Sequence, residues 1–132
     1  MEIRYDWRGP FDSAEVEALH AEGVGRDPAG FDWWEQVTGH SLGWVCARTG
    51  DGDLVGFVNV AWDGGSHAFV LDTLAAPRVR RRGVGTALVE AAAEGARAAG
   101  CEWLHVDFEP HLRPFYLHAC GFHPTDAGLI GL

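Results

Sequence analysis

The feature that most constrains this chain is an arginine run and a glycine pair placed between a strand and a helix. A stretch of alternating residues ends at Pro77, three arginines occupy positions 80–82, and Gly83-Val84-Gly85-Thr86 opens an alanine-rich helical stripe. The first N–H groups of a helix lack intrahelical partners and lie at the positive end of its dipole. Glycines there allow an anionic ligand to approach the backbone. The segment therefore predicts a pyrophosphate site, with charge-assisted contacts from the arginines.

Two other phosphate-binding loops are excluded by the residues of this segment. The chain contains no lysine, so it has no P-loop, and Leu88 stands where the dinucleotide-binding fingerprint needs its third glycine. A plain turn is the other interpretation of a Gly-x-Gly at a helix start. The adjoining arginines and the preceding strand favour the binding site.

The order of predicted elements is that of a single mixed α/β (α+β) domain over residues 1–132. Alternation and turn signals predict strands, whereas capping residues and apolar stripes predict helices. The predicted strands cover residues 3–7, 42–48, 54–62, 68–75, 103–108 and 125–131, and the predicted helices cover 13–23, a short segment capped by Asp32, 83–99 and 112–119. This order requires at least one parallel crossover.

The net charge of the chain limits the classes of molecule that it can bind. The chain has 19 acidic residues, 10 arginines and a formal net charge of -9, and four of the arginines lie between positions 78 and 82. The surface outside this cluster is therefore acidic, which repels nucleic acid and attracts cationic small molecules. We expect no nucleic-acid partner.

Hydropathy and the cysteine pattern predict the compartment. No apolar run approaches the length of a membrane span, and the N-terminal residues do not resemble a secretory signal. The three cysteines, at positions 46, 101 and 120, lack metal-ligand spacing, and no two histidines have the spacing of a helical metal site. We expect a cytoplasmic protein with reduced thiols, no metal and no membrane partner.

Two motifs at a set separation resemble one protein family. Arg80-Arg81-Arg82-Gly83-Val84-Gly85 is similar to the Arg/Gln-x-x-Gly-x-Gly/Ala signature of the GCN5-related N-acetyltransferases (GNAT). Leu74-Ala75-Ala76-Pro77 resembles the exit of that family's fourth strand. Phe115-Tyr116-Leu117-His118-Ala119-Cys120-Gly121-Phe122 resembles its Phe-Tyr-x-x-x-Gly-Phe segment, with one residue more between the tyrosine and the glycine. The resemblance spans nearly the whole chain and is strongest over residues 70–122.

The resemblance implies an acyl-CoA N-acyltransferase fold with a splayed central sheet. In that fold the fourth and fifth strands separate and leave a slot for the pantetheine arm of acetyl-CoA, which acts as a co-substrate. Backbone groups after the fourth strand would pair with pantetheine, and the amides of the glycine loop would hold the pyrophosphate. The residues implied in this binding are Leu74, Ala75, Ala76, Arg80, Arg81, Arg82, Gly83, Val84, Gly85 and Thr86.

The resemblance also implies two catalytic groups. Tyr116 lies where the family carries its general acid, and packing beside Phe115 is the alternative interpretation. Asp72 lies where the family carries a carboxylate that acts as a base or holds a relay water, and strand alternation puts it on the face of Val70 and Leu74. Apolar neighbours raise the pKa of a carboxyl group, which suits a base. A structural aspartate at a strand edge is the alternative.

Three further residues are predicted to line the acceptor site. Trp33 and Trp34 lie where relatives build the acceptor wall, and neighbours on a helix, about 100° apart, cannot both face the core. Asp32 and Glu35 beside them favour a cationic acceptor. A hydrophobic lid or a homodimer contact is the alternative. Glu109 stands where many relatives have a cofactor-binding asparagine, which makes it a candidate acidic group of the acceptor slot instead.

The resulting hypothesis is an acetyl-CoA-dependent N-acetyltransferase that acts on a small cationic primary amine by direct transfer, without a covalent enzyme intermediate. Two alternatives stay open. One is a catalytically silent acyl-CoA-binding domain that acts as a sensor or interaction module. The other is an acetyltransferase that modifies proteins. A covalent role for Cys120 is disfavoured, because nothing in the sequence around it lowers a thiol pKa.

Overall fold

The sheet contains five strands in the order β1-β2-β3-β4-β5. The computed structural model describes all residues, 1–132. The strands are β1 (Ile3–Trp7), β2 (Ser41–Thr49), β3 (Leu54–Trp62), β4 (His67–Ala75) and β5 (Trp103–His105), and the helices are α1 (Ser13–Val24), α2 (Trp33–His40) and α3 (Val84–Ala98). β1 to β4 pair antiparallel, whereas β4 and β5 pair in parallel across α3. The predicted mixed α/β class and the parallel crossover are confirmed.

Helix α3 packs on the sheet through an apolar stripe that recurs every three to four residues. Val84, Leu88 and Ala92 on this stripe are buried. Gly56 of β3 allows the close approach, since a Cβ there would lie 3.0 Å from Val84 Cγ1. Gly56 also pairs with Ala75, the last residue of β4. The first turn of α3 is therefore held beside the end of β4.

Strands β4 and β5 separate soon after they meet. They pair at three positions only, which are His67 with Trp103, Ala68 with Leu104 and Phe69 with His105. β4 continues to Ala75, so its residues 70–75 have no strand partner on the side of β5. This separation confirms the splayed sheet. It also explains why β5 is shorter than the predicted strand 103–108, because the residues after His105 have no neighbouring ladder.

The C-terminal part of the chain differs from the prediction. The segment predicted as a helix over 112–119 forms a 3-10 turn (Pro110–Leu112) and a π-helical turn (Pro114–Ala119), in which Cys120 N donates to Phe115 O at 2.9 Å. The strand predicted over 125–131 is wrong, because residues 121–132 form no strand or helix. Alternating apolar residues make a strand only where a partner supplies the ladder, and Leu129 here stays 82% exposed.

A buried carboxylate ties the loop between α1 and α2 to the core. Glu17 of α1 is 2% exposed and accepts hydrogen bonds from Arg26 Nη1 at 2.6 Å, Ala29 N at 2.5 Å and Trp33 Nε1 at 3.0 Å. Arg26 adds a contact to His20 Nδ1 at 2.9 Å. Because these donors favour the ionised form, they hold the pKa of Glu17 far below its usual value. The hydrogen bonds to the Glu17 carboxylate thus hold the α1–α2 connection in place.

We expect Glu17→Gln to destabilise the fold in a pH-dependent way. A carboxyl group whose pKa is lowered by folding stabilises the protein above its unfolded pKa of 4.5, and this contribution falls as the pH drops below that value. The gap in melting temperature between wild type and variant should therefore be wide at neutral pH and shrink under acid conditions. Glu94→Gln, at an exposed surface pair with Arg97, is the control and should change little. A gap that does not vary with pH would contradict this assignment.

Candidate active site

The glycine loop presents a row of unused backbone donors. Gly83 caps α3 in the left-handed conformation with φ 76°, and Arg81 shares that conformation with φ 67°. The backbone N–H groups of residues 81 and 83–86 donate no hydrogen bond within the chain. They lie at the N-terminus of a 15-residue helix, where the dipole favours an anion. This arrangement fits the pyrophosphate of a nucleotide-type ligand.

The arginines beside the loop are free to bind an anion. Arg80, Arg81 and Arg82 are exposed and take part in no ion pair. Arg78 differs, because its Nη2 lies 3.4 Å from Asp53 Oδ2. Three of the four clustered arginines thus have no competing carboxylate.

The two glycines of the loop have different neighbours. A Cβ on Gly83 would meet no atom within 4 Å, so its left-handed backbone is what favours glycine there. A Cβ on Gly85 would lie 3.0 Å from Phe115 Cζ. We expected a ligand to approach the backbone in this space, but the aromatic ring of Phe115 occupies it. Phe115 therefore packs on the first turn of α3, and this contact places Tyr116 close to the glycine loop.

Strand β4 contains a β-bulge at Asp72 and Thr73. Leu71 pairs with Asn59 and Leu74 pairs with Phe57, so two residues of β4 lie opposite Val58. Asp72 has φ 53°, which is rare for a residue with a side chain. After the bulge, each side chain of β4 lies on the opposite face of the sheet from the one that simple alternation predicts. Leu74 consequently shares a face with Leu71, and its predicted placement on the face of Val70 is wrong.

Beyond the bulge, the backbone of β4 offers one residue to the open slot. Ala76 N donates to Val55 O at 2.8 Å, and Ala76 O accepts from Val79 N at 3.0 Å, so this residue is already bonded within the chain. Because backbone groups alternate along a strand, the N–H and C=O of Ala75 point towards the splayed side. Of the three residues predicted to pair with pantetheine, Ala75 is the one whose backbone is best placed to do so.

The two predicted catalytic side chains lie in apolar surroundings. Burial raises the pKa of Asp72, and a partial opposing effect comes from His20 of α1. Tyr116 is 6% exposed, stacks on Phe108 with a centroid distance of 5.0 Å, and meets Phe115 edge-on at 4.8 Å. Burial also raises the pKa of Tyr116. The carboxyl group can therefore accept a proton more readily than an exposed one, and the phenol stays protonated at neutral pH.

A cavity of about 630 Å³ brings Tyr116 and Glu109 together. Asp107 also lines it, with apolar contributions from Phe108, Leu112 and the tail residues 127–129. No arginine lines this cavity, so its charge is negative. Asp107 is absent from the predicted set; its position two residues before Glu109, shortly after β5, is the signal that could have indicated it.

The structure separates the roles of the two tryptophans. Trp33 is 6% exposed and donates its indole N–H to Glu17, so it packs in the core, and its place in the acceptor wall stays a prediction. Trp34 is 42% exposed and packs edge-on against Phe11 at 5.0 Å and Trp44 at 5.9 Å. Neither ring lines the cavity of Tyr116. The hydrogen bond to the buried carboxylate of Glu17 explains why Trp33, and not Trp34, packs in the core.

Other chemistries find little support in the side chains. All three cysteines are free, and burial raises the pKa of Cys120, which disfavours a thiolate. No group of three or more His, Cys, Asp or Glu residues is placed to hold a metal ion. None of the helices has the length and hydrophobicity that a bilayer crossing requires.

Comparison with known proteins agrees with this geometry. Residues 3–122 match the model of the acetyltransferase (GNAT) family, whereas no curated protein matches the sequence. A GNAT-family acetyltransferase from Streptococcus pneumoniae has a similar structure, with a TM-score of 0.79 at 22% identity over 99% of this chain and 98% of that chain. Glucosamine-6-phosphate N-acetyltransferase from Arabidopsis thaliana gives a TM-score of 0.74 at 14% identity over 98% of both chains. AAC(6')-Iy, in complex with the bisubstrate analogue CoA-S-monomethyl-acetylneamine, gives 0.73 at 18% identity over 100% of this chain and 98% of that chain. Since the family match covers nearly the whole sequence and the fold agrees, the chain belongs to the acetyltransferase (GNAT) family.

Proposed function

We propose that this protein is an N-acetyltransferase that transfers the acetyl group of acetyl-CoA directly to a small cationic primary amine. The observation that carries the proposal is the contact between Phe115 and Gly85, since it joins the anion-binding loop to the segment of Tyr116. One similar structure holds a CoA-based bisubstrate analogue, and another is an N-acetyltransferase of an amino sugar phosphate. Both agree with a CoA-dependent transfer to nitrogen.

The residues fit acetyl-CoA along the splayed slot. Free N–H groups of residues 81 and 83–86, with Arg80, Arg81 and Arg82, would hold the pyrophosphate. The outward backbone of Ala75 would pair with the pantetheine arm in the manner of an added strand. Acetyl-CoA supplies an activated acetyl thioester. The chain's own task is to hold this thioester beside a neutral amine and to move two protons.

We assign the removal of a proton from the amine to Asp72 and the donation of a proton to the sulfur to Tyr116. An alkyl ammonium with a pKa near ~10 is almost entirely charged at neutral pH, so a base must remove a proton before the nitrogen can attack. The raised pKa of Asp72 suits it to take that proton, directly or through a water. As the new C–N bond forms and the C–S bond breaks, the Tyr116 hydroxyl gives its proton to the departing sulfur, and the nitrogen loses its second proton to solvent to leave the neutral amide.

The acidic cavity defines the acceptor. Asp107 and Glu109 line the space beside Tyr116 together with apolar side chains, and no basic residue lines it. A carboxylate entering this space would meet like charge without a partner, whereas an ammonium group on an apolar body would be attracted. This composition supports a cationic amine over an amino acid.

We expect tryptamine to be acetylated with a kcat/KM about 10-fold or more above that of tryptophan, because the two differ only in the carboxylate that the cavity repels. The comparison uses initial rates of thiol release from acetyl-CoA. Glu109→Gln should lower the ratio of the kcat/KM for tryptamine to that for tryptophan, since it removes one of the two negative charges of the cavity and retains the shape of the side chain. A preference for tryptophan would contradict the acidic acceptor cavity while leaving acetyl transfer intact.

The function itself is tested by the same assay over a wider panel of amines. An enzyme releases CoA thiol in an amine-dependent manner and yields an N-acetyl product by mass spectrometry. A silent sensor would bind acetyl-CoA in calorimetry yet release no thiol with any amine in the panel.

Three free cysteines also support our expectation of a reducing, cytoplasmic setting.

A further inference from the structure

One buried polar atom in this protein has no partner. Thr73 Oγ1 is the only buried side-chain nitrogen or oxygen that forms no hydrogen bond within the chain. Proteins seldom leave a buried hydroxyl unpaired, because its desolvation is then uncompensated. Such a group in a native fold is a candidate for a functional role.

The orphan hydroxyl belongs to the part of β4 that lies beyond its pairing with β5. Thr73 is the second residue of the β4 bulge, directly after Asp72 and opposite Val58. It belongs to the part of β4 that has no partner in β5. The bulge thus puts the candidate base and this hydroxyl side by side at the point where the strands separate.

The side chain of Thr73 interacts with the hydroxyl of Tyr116. Three aromatic rings surround Tyr116, from Phe108, Phe115 and Phe122. Burial raises the pKa of Tyr116, Cys120 and Asp107 add smaller effects in the same direction, and Glu109 lines the same cavity. Thr73 is the one group that acts in the opposite direction, through its side-chain oxygen. The two hydroxyls are therefore neighbours, although they form no hydrogen bond of standard geometry in this structure.

The chemistry assigned to Tyr116 needs such a neighbour. A thiol has a pKa of about 8.5, whereas the pKa of Tyr116 lies above its ordinary value of 10.0. Proton transfer from this phenol to a thiolate is uphill unless the phenolate that forms is stabilised. The surrounding rings cannot donate a hydrogen bond, and the nearby carboxylates repel a phenolate.

We propose that Thr73 is a positioning residue whose hydroxyl donates a hydrogen bond to Tyr116 Oη while Tyr116 gives its proton to the leaving sulfur. This inference rests on the proposed function. In the step the phenol O–H bond breaks, an S–H bond forms, and the negative charge moves from sulfur to the phenolate oxygen, which Thr73 stabilises. The phenolate then recovers a proton from solvent, and Thr73 keeps its own proton throughout.

The contact can be tested without any activity measurement. The chain has only two tyrosines, so in a Tyr5→Phe background the ultraviolet signal of phenolate reports Tyr116 alone. Thr73→Val removes the hydroxyl at constant shape and should raise the pKa of Tyr116, whereas Thr73→Ser should leave it near that of the background protein. Circular dichroism across the titration verifies that the fold persists. The same pKa in the Val and Ser variants would overturn the proposal.

Kinetics then test the role of the contact. Thr73→Val should lower kcat by about 10-fold with the KM for acetyl-CoA unchanged, as expected for loss of one hydrogen bond to a charged group, and Thr73→Ser should restore most of it. In a Tyr116→Phe background the same substitution should have no further effect. Additive losses would overturn the proposal. If no variant, including wild type, releases thiol, the proposed function fails, and the titration still decides whether Thr73 acts on Tyr116.

Discussion

We expect Tyr116→Phe to lower kcat by about 100-fold or more, the scale of a positioned general acid, and to change the Kd for acetyl-CoA little. The substitution removes one hydroxyl and retains the ring that packs on Phe108 and Phe115. The hydroxyl makes no hydrogen bond that the fold would lose. Without it, the leaving sulfur departs as an unprotonated thiolate. Steady-state rates and calorimetric titration with acetyl-CoA separate the two quantities.

Tyr5→Phe is the matched control for this prediction. Tyr5 lies on β1, at the edge of the sheet farthest from β5, and it should keep full activity. A rise in KM with kcat unchanged in Tyr116→Phe would mean that the residue shapes the slot and donates no proton. Full activity in both variants would remove Tyr116 from the mechanism.

We expect Thr86→Pro to weaken acetyl-CoA binding by about 10- to 100-fold, because it would delete one backbone donor to a charged phosphate. Thr86 is the third residue of α3, and its N–H has no intrahelical partner to lose. Gly85 precedes it and lacks the Cβ that clashes most with a proline ring. The measurement is the Kd for acetyl-CoA by calorimetry at a fixed salt concentration.

Thr86→Ala separates the backbone donor from the side chain. It retains the N–H group and loses only the hydroxyl, so its Kd should stay close to that of wild type. Melting temperatures of both variants establish that α3 is intact. Equal affinities in folded Thr86→Pro and Thr86→Ala would show that the glycine loop does not hold the ligand through its amides.

The strands and the glycine loop could be predicted from the sequence because their signals are local. Alternation specified β1 and β3 to the residue, and Asp32 was identified as a cap by its position alone. The arginines and glycines before α3 indicated an anion site because the free donors of a helix N-terminus do not depend on distant contacts. Family membership followed from two short motifs at the right separation.

The sequence could not indicate which side chains meet across the fold. Simple alternation placed Leu74 with Val70, but the bulge at Asp72 reverses the face of every later residue in β4. A strand was predicted over 125–131, yet no partner ladder reaches that segment. Both errors concern pairing, which depends on a second strand far away in the chain.

By itself the sequence determined the order of elements up to β5, the position of the glycine loop and the acidic character of the protein, since each depends on neighbouring residues or on a sum over them. Only the tertiary structure decided that Trp33 is buried on Glu17, that Phe115 fills the space above Gly85, and that Thr73 is left without a partner. The first two outcomes bring together residues at least 16 positions apart, which occupy the same space or share a hydrogen bond. Such contacts are settled by packing, because close contact admits one side chain and excludes another.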